Sequence, residues 1–173
     1  FGGVERQNGV GGYYVANGSP GLFSLDVGKN VRRTVAAPGL PDYDSDWLVG
    51  PDGAVAAAFS INTKNGNWQI KGAGNTVLAR GNAPVGDAGL VVLGKDGNTL
   101  IYRQRDSRTE RTIWYEIPLD GSAPAKPFAT EEDVDRLYID RSTGRLLGTL
   151  RAGAETKPHF FDPKFQDVVD KIY

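Results

Sequence analysis

Apolar and polar residues alternate along this chain in short runs, and most runs end at a turn signal. Ala54 to Ile61 and Thr99 to Arg105 have the length of strands, and Pro51-Asp52-Gly53 and Lys95-Asp96-Gly97 precede them. Asp-Gly between such runs marks a hairpin, because the turn needs positive φ and glycine adopts it without a steric penalty. A longer period lies over this alternation. Leu22-Phe23-Ser24-Leu25, Trp68-Gln69-Ile70, Trp114-Tyr115-Glu116-Ile117 and Phe160-Phe161 begin 46 residues apart each time. The turn glycines nearly keep the interval, with Gly53 and Gly97 44 apart and Gly97 and Gly144 47 apart.

A period of about 40–50 residues in β-rich sequence indicates the blades of a propeller. The expected fold class is therefore all-β, a partial β-propeller of about four blades built from four-stranded antiparallel sheets, with a short C-terminal α-helix. The blades fall at approximately 1–38, 39–83, 84–130 and 131–162, the helix at 163–173, within one domain spanning 1–173. In the first unit Gly12–Ala16 and Leu22–Val27 read as a hairpin, Val31–Ala36 follows, and no inner strand is evident in the glycine-rich, polar Phe1–Gly11. The fourth unit reaches Pro158–Phe161 and then departs from the pattern. Asp162 suits a helix cap and Pro163 the first helical position, while Phe165, Val168, Val169 and Ile172 fall at i, i+3, i+4 and i+7. That apolar stripe is expected to pack on the preceding blade. A ring of four blades could close. The truncated first unit and the swerving last one favour an open arc of a larger ring, whose bare blade faces and edges would self-associate.

Composition narrows the function classes. The chain has 173 residues, 39% hydrophobic and 24% charged, with a net charge of -1. No apolar run approaches the ~20 residues that span a bilayer. No dense basic patch is present to neutralise phosphates, so neither nucleic acid nor a membrane surface is an expected partner. The 23 glycines, about twice the usual share, suit a chain of short strands and tight turns. The absence of cysteine excludes disulfides and thiolate metal sites. The absence of methionine, with a start at Phe1-Gly2-Gly3, leads us to expect a piece of a longer protein.

The candidate chemistry is sparse. His159 is the sole histidine and lies in the register of the repeated strand, where a packing role is expected. Asn17-Gly18-Ser19-Pro20-Gly21 imitates the nucleophile motif G-x-S-x-G but sits in a hairpin turn rather than between a strand and a helix. Asp42, Asp44 and Asp46 alternate like the start of a calcium loop, yet Trp47 and Gly53 occupy the positions that require glycine and a carboxylate. Gly72-Ala73-Gly74 joins two strands and lacks the helix start that binds phosphate. Arg103, Arg105, Arg108 and Arg111 are interrupted by Asp106 and Glu110 and read as a solvated hairpin tip. Trp68 and Trp114 share one register and are expected to be buried between blades. No catalytic, cofactor-binding or metal-ligating set emerges. The remaining candidates are Asp44, Asp87 and Asp133, which precede the innermost strands of units two to four. On a channel rim they would favour cationic ligands; the alternative is that each merely starts a turn.

Pro51-Asp52-Gly53-Ala54-Val55-Ala56 after Trp47-Leu48-Val49, and Phe160-Phe161-Asp162-Pro163-Lys164-Phe165-Gln166 before the helix, resemble the β-propeller of bacterial prolyl oligopeptidase-family serine peptidases, in their acylaminoacyl-peptidase-like branch. The resemblance runs from about Gly12 to Tyr173. It implies a seven-bladed propeller ahead of an α/β-hydrolase domain, where the propeller gates access for short peptides. The chain would then be a noncatalytic fragment, soluble in a bacterial cytoplasm or periplasm, with the hydrolase domain of its parent and that parent's peptide substrate as partners. No catalytic residue of the family has a counterpart here. The alternatives are a stand-alone propeller module that binds a protein or peptide, and a closed four-bladed propeller that binds sugar.

Overall fold

The computed structural model describes residues 2–3, 6–9, 12–15, 20–130, 133–151, 153 and 157–173, the first three stretches as strand backbone only. The chain is mostly β, with antiparallel sheets and one short C-terminal helix. Strands β1 (Gly2–Gly3), β4 (Gly21–Asp26) and β5 (Val31–Ala36) form a three-stranded first sheet, while β2 (Arg6–Gly9) and β3 (Gly12–Val15) make a separate ribbon. The expected hairpin of Gly12–Ala16 with Leu22–Val27 does not form. The partner of β3 is β2, closed by Gly9 opposite Gly12, and β4 takes β1 instead, with Gly2 opposite Leu22. The ribbon closes a shorter loop than the expected hairpin would, which costs less chain entropy. Ala16 lies outside the described residues.

The second sheet follows the chain order β6 (Tyr43–Val49), β7 (Val55–Asn62), β8 (Asn67–Lys71) and β9 (Val77–Asn82). The third repeats it with β10 (Ala88–Leu93), β11 (Thr99–Arg105), β12 (Thr112–Pro118) and β13 (Lys126–Thr130). The fourth has three strands, β14 (Val134–Ile139), β15 (Leu146–Arg151) and the two-residue β16 (His159–Phe160). Helix α1 (Pro163–Asp170) then begins as its sequence requires, with Asp162 accepting from the Lys164 N–H and proline in the first turn. No helix among the described residues is long and apolar enough to cross a membrane.

Period-two patterning makes each sheet two-faced, and the faces meet in two seams. In the first seam Ala57, Phe59, Trp68 and Ile70 of the second sheet pack on Leu100, Tyr102 and Ile117 of the third. Four rings run across it in contact, Phe59 to Trp68 at 6.1 Å, Trp68 to Tyr102 at 5.8 Å and Tyr102 to Tyr115 at 5.5 Å. The Trp68 ring lies flat over Gly81, where a Cβ would stand 2.7 Å from Cζ2. In the second seam Val92, Ile101 and Trp114 of the third sheet meet Leu146 of the fourth. Trp68 and Trp114 are thus buried between sheets, at 3% and 8% exposure. The third sheet is apolar on both faces because Leu100 and Tyr102 point one way along β11 and Ile101 the other. The seams are also stitched by backbone, as the Leu93 N–H donates to the Gly144 carbonyl at 3.2 Å.

Candidate functional site

The three aspartates do not share a cavity. Asp44 stands on β6 opposite Ile61 and borders a small recess with Thr63, Gly66 and Pro84. Asp87, just ahead of β10, is tied to the neighbouring strand. Its carboxylate pairs with the Arg105 guanidinium at 3.1 Å and its carbonyl accepts from the Arg105 N–H at 3.1 Å. Asp133, just ahead of β14, accepts from the Thr130 hydroxyl and from the Thr130 N–H. Those bonds from Thr130, with Arg111 and Arg151 nearby, hold its carboxyl below the usual aspartate value. Asp87 and Asp133 are thus each engaged by a neighbouring residue, just ahead of their strands. Among the described residues no group of three or more His, Asp or Glu side chains is placed to hold a metal.

The 46-residue register explains why two of these positions look alike. Asp133 follows Asp87 by 46 residues, and Arg151 follows Arg105 by the same interval. The fourth-sheet copy differs from the third in its surroundings. Asp133 and Arg151 border a cleft of about 540 Å³ between the third and fourth sheets, with Phe128, Ala129, Val134, Thr149, His159 and Phe161 as the other walls.

Strand pairing builds this cleft. Thr149 and Arg151 are two apart on β15 and share a face. His159 lies directly opposite Thr149, and Val134 directly opposite Arg151. Across the cleft stand Phe128 and Ala129 of β13. The His159 ring meets Phe161 edge-on at 6.0 Å. Thr149 is the buried polar residue of this face, at 7% exposure, while Arg151 and His159 are exposed. A guanidinium, an imidazole and a hydroxyl thus converge on one face, against aromatic and aliphatic walls. Such a set offers hydrogen-bond donors beside an apolar surface. Among the described lining residues there is no serine, and the hydroxyl opposite His159 is that of Thr149.

The other sequence candidates fall elsewhere. Gly18 and Ser19 of the nucleophile-like motif lie outside the described residues. Asp42 pairs with Lys64 at 2.7 Å, and Asp46 accepts from the Trp47 N–H at 2.8 Å. Gly72-Ala73-Gly74 opens a single 3-10 turn, Ala73–Asn75, between β8 and β9. Arg105 also reaches Glu110 at 3.7 Å, and Asp106 accepts from the Arg108 and Thr109 N–H groups, which folds the arginine-rich segment into a hairpin tip. Sequence reading passed over Thr149 and Arg151 and assigned His159 to packing. The signal within reach was the repeated Asp–Arg pair at one period. No known family model, curated protein or solved structure matches the chain.

Proposed function

We propose that the chain is an arc of a β-propeller that covers and gates the active site of an α/β-hydrolase domain carried elsewhere in its parent protein, admitting short peptides to a serine nucleophile outside residues 1–173. The observation that carries the reading is the third sheet. It is apolar on both faces and lies between two neighbours in matching strand order, as a blade must. The Asp162-Pro163 helix start and the Pro51-Asp52-Gly53 turn resemble the corresponding elements of peptidase propellers, and this resemblance supports the hydrolase part of the reading. A fluorophosphonate probe applied to the parent protein, followed by peptide mapping, tests the assignment. Label on a serine outside residues 1–173 supports it. An unlabelled parent, or label within these residues, overturns it.

A second reading, a propeller module that binds a protein or peptide and serves no enzyme, is favoured by the cleft between the third and fourth sheets. Its described lining combines hydrogen-bonding and apolar side chains, the composition of a binding site. An unlabelled parent that still binds peptide would move the assignment to this reading.

A further inference from the structure

We propose that the cleft between the third and fourth sheets binds an apolar amino-acid residue through its free α-carboxylate, with Arg151 and His159 on the carboxylate and Phe128, Val134 and Phe161 around the side chain. The proposal rests on the cleft alone and stands whether or not the chain gates a hydrolase.

Size, charge and wall chemistry each bear on the ligand. A volume of about 540 Å³ lies within the range of small-ligand pockets, roughly 300–1,000 Å³. Arg151 and His159 offer N–H donors from the same sheet face as the buried Thr149 hydroxyl. An arginine fork matches a planar carboxylate with two parallel hydrogen bonds, stronger than neutral ones. Asp133, the acid among the described lining residues, already accepts from the Thr130 hydroxyl and N–H and is flanked electrostatically by Arg111 as well as Arg151. It therefore does not turn the cleft into a cation site. Its charge does disfavour a dianion, which sets a monoanionic carboxylate above a phosphate. The remaining walls are aromatic and aliphatic, so the group that carries the carboxylate is apolar.

The equivalent place one period earlier shows what makes this cleft distinct. There Arg105 is held by both Asp87 and Glu110, and Ile113 stands where His159 stands. Only the fourth-sheet copy combines a guanidinium with an imidazole beside an open cavity.

His159 is the sole histidine, so its two carbon-bound ring protons give the only imidazole signals in the NMR spectrum. The full chain is titrated with N-acetyl-phenylalanine, with N-acetyl-phenylalanine amide, and with a tetrapeptide ending in phenylalanine as acid and as amide. The expected result is a saturable shift of the His159 signal, and of the Phe128 and Phe161 amides, with both acids. The amides should bind at least tenfold more weakly. Arg151→Gln should weaken the acids at least tenfold and Arg151→Lys should recover part of the loss. Equal binding of acid and amide, no saturable shift at millimolar ligand, or undiminished binding by a folded Arg151→Gln would overturn the proposal. Should Arg151→Gln fail to fold, the comparison of acid with amide on the unaltered chain decides. Binding of the tetrapeptide acid without N-acetyl-phenylalanine would mean that an extended peptide is recognised rather than its last residue, and would also overturn it.

Discussion

Gly53 and Gly97 occupy matching hairpin turns, with φ of +79° and +73°, yet they differ in what surrounds them. A Cβ on Gly53 would meet nothing within 4 Å. One on Gly97 would stand 2.6 Å from Nε of Arg145, whose guanidinium reaches across from the fourth sheet, and that Nε is buried without a partner. Gly53→Ala should then cost only the left-handed conformation, about 1–2 kcal/mol. Gly97→Ala should cost more, because the guanidinium must also move. Urea unfolding of the two variants measures the difference. Adding Arg145→Ala to Gly97→Ala should remove the excess, and equal costs for the two glycines would show that the Arg145 contact carries no weight. The same period that makes these turns look interchangeable in sequence hides the contact, because Arg145 comes from the next unit.

Among the elements, α1 gives the Asp-Pro-x-x-Gln run a physical meaning. Asp162 caps the helix and Pro163 starts it. Gln166 then turns back, its Oε1 accepting from the Phe160 N–H on the outer edge of β16 at 2.7 Å and its Nε2 donating to Asp170 at 2.7 Å. Asp170 also pairs with Lys157 at 2.7 Å. The side chain thus supplies the hydrogen bond that a fourth strand would have made. Gln166→Leu should speed amide exchange at Phe160 markedly and leave the third sheet unchanged; an unaltered Phe160 rate would refute the assignment. The turn between β14 and β15 carries a pH signature. Hydrogen bonds from the Ser142 hydroxyl, the Thr143 hydroxyl and the Ser142 N–H lower the Asp140 carboxyl from 3.8 to about 2. A pKa depressed by folding contributes stability that is present above the unfolded value and lost as pH falls from about 4 towards 2. Ser142→Ala with Thr143→Val should therefore flatten the stability profile in that window and change it little at pH 7 beyond a constant offset. Strand order in the second and third sheets, the turns and the helix cap were legible in the sequence, because each rests on spacing within one unit. The pairing of β1 with β4 was not, since Gly2-Gly3 carries no apolar alternation. The cleft was not legible either. Thr149, Arg151 and His159 meet only once the register of β15 on β16 is known, and a slip of one residue would have sent them to the other face.

At the scale of the whole molecule, the stack of second, third and fourth sheets ends differently on its two sides. The second sheet turns away from the seam a row of Ser45, Ser60, Gln69 and Arg80, which lie opposite one another across all four strands. The fourth sheet turns outward Tyr138 and Phe160, whose rings are 5.0 Å apart, and α1 lays Phe165 on Phe160 at 6.1 Å. The helix buries no residue, and Phe165, Val168 and Ile172 keep 54%, 55% and 73% of their surface in water. The helix does lie on the preceding sheet, through the Phe165 ring on Phe160 and the Gln166 hydrogen bond to β16, while Val168 and Ile172 stay exposed. A contiguous apolar patch of this kind drives association, whereas a polar sheet face does not. Self-association of the chain should therefore run through α1 and the outer face of the fourth sheet. Sedimentation of the unaltered chain should show a weight-average mass that rises with concentration. Phe165→Glu with Ile172→Glu should bring it to the monomer value while the far-ultraviolet circular dichroism stays the same. Matched charges on the other side, Ser60→Glu with Gln69→Glu, should leave the association as it was. A chain that is monomeric throughout, or association abolished by charges on the second sheet and not on the helix, would show that the two ends of the stack are not distinguished by their apolar surface.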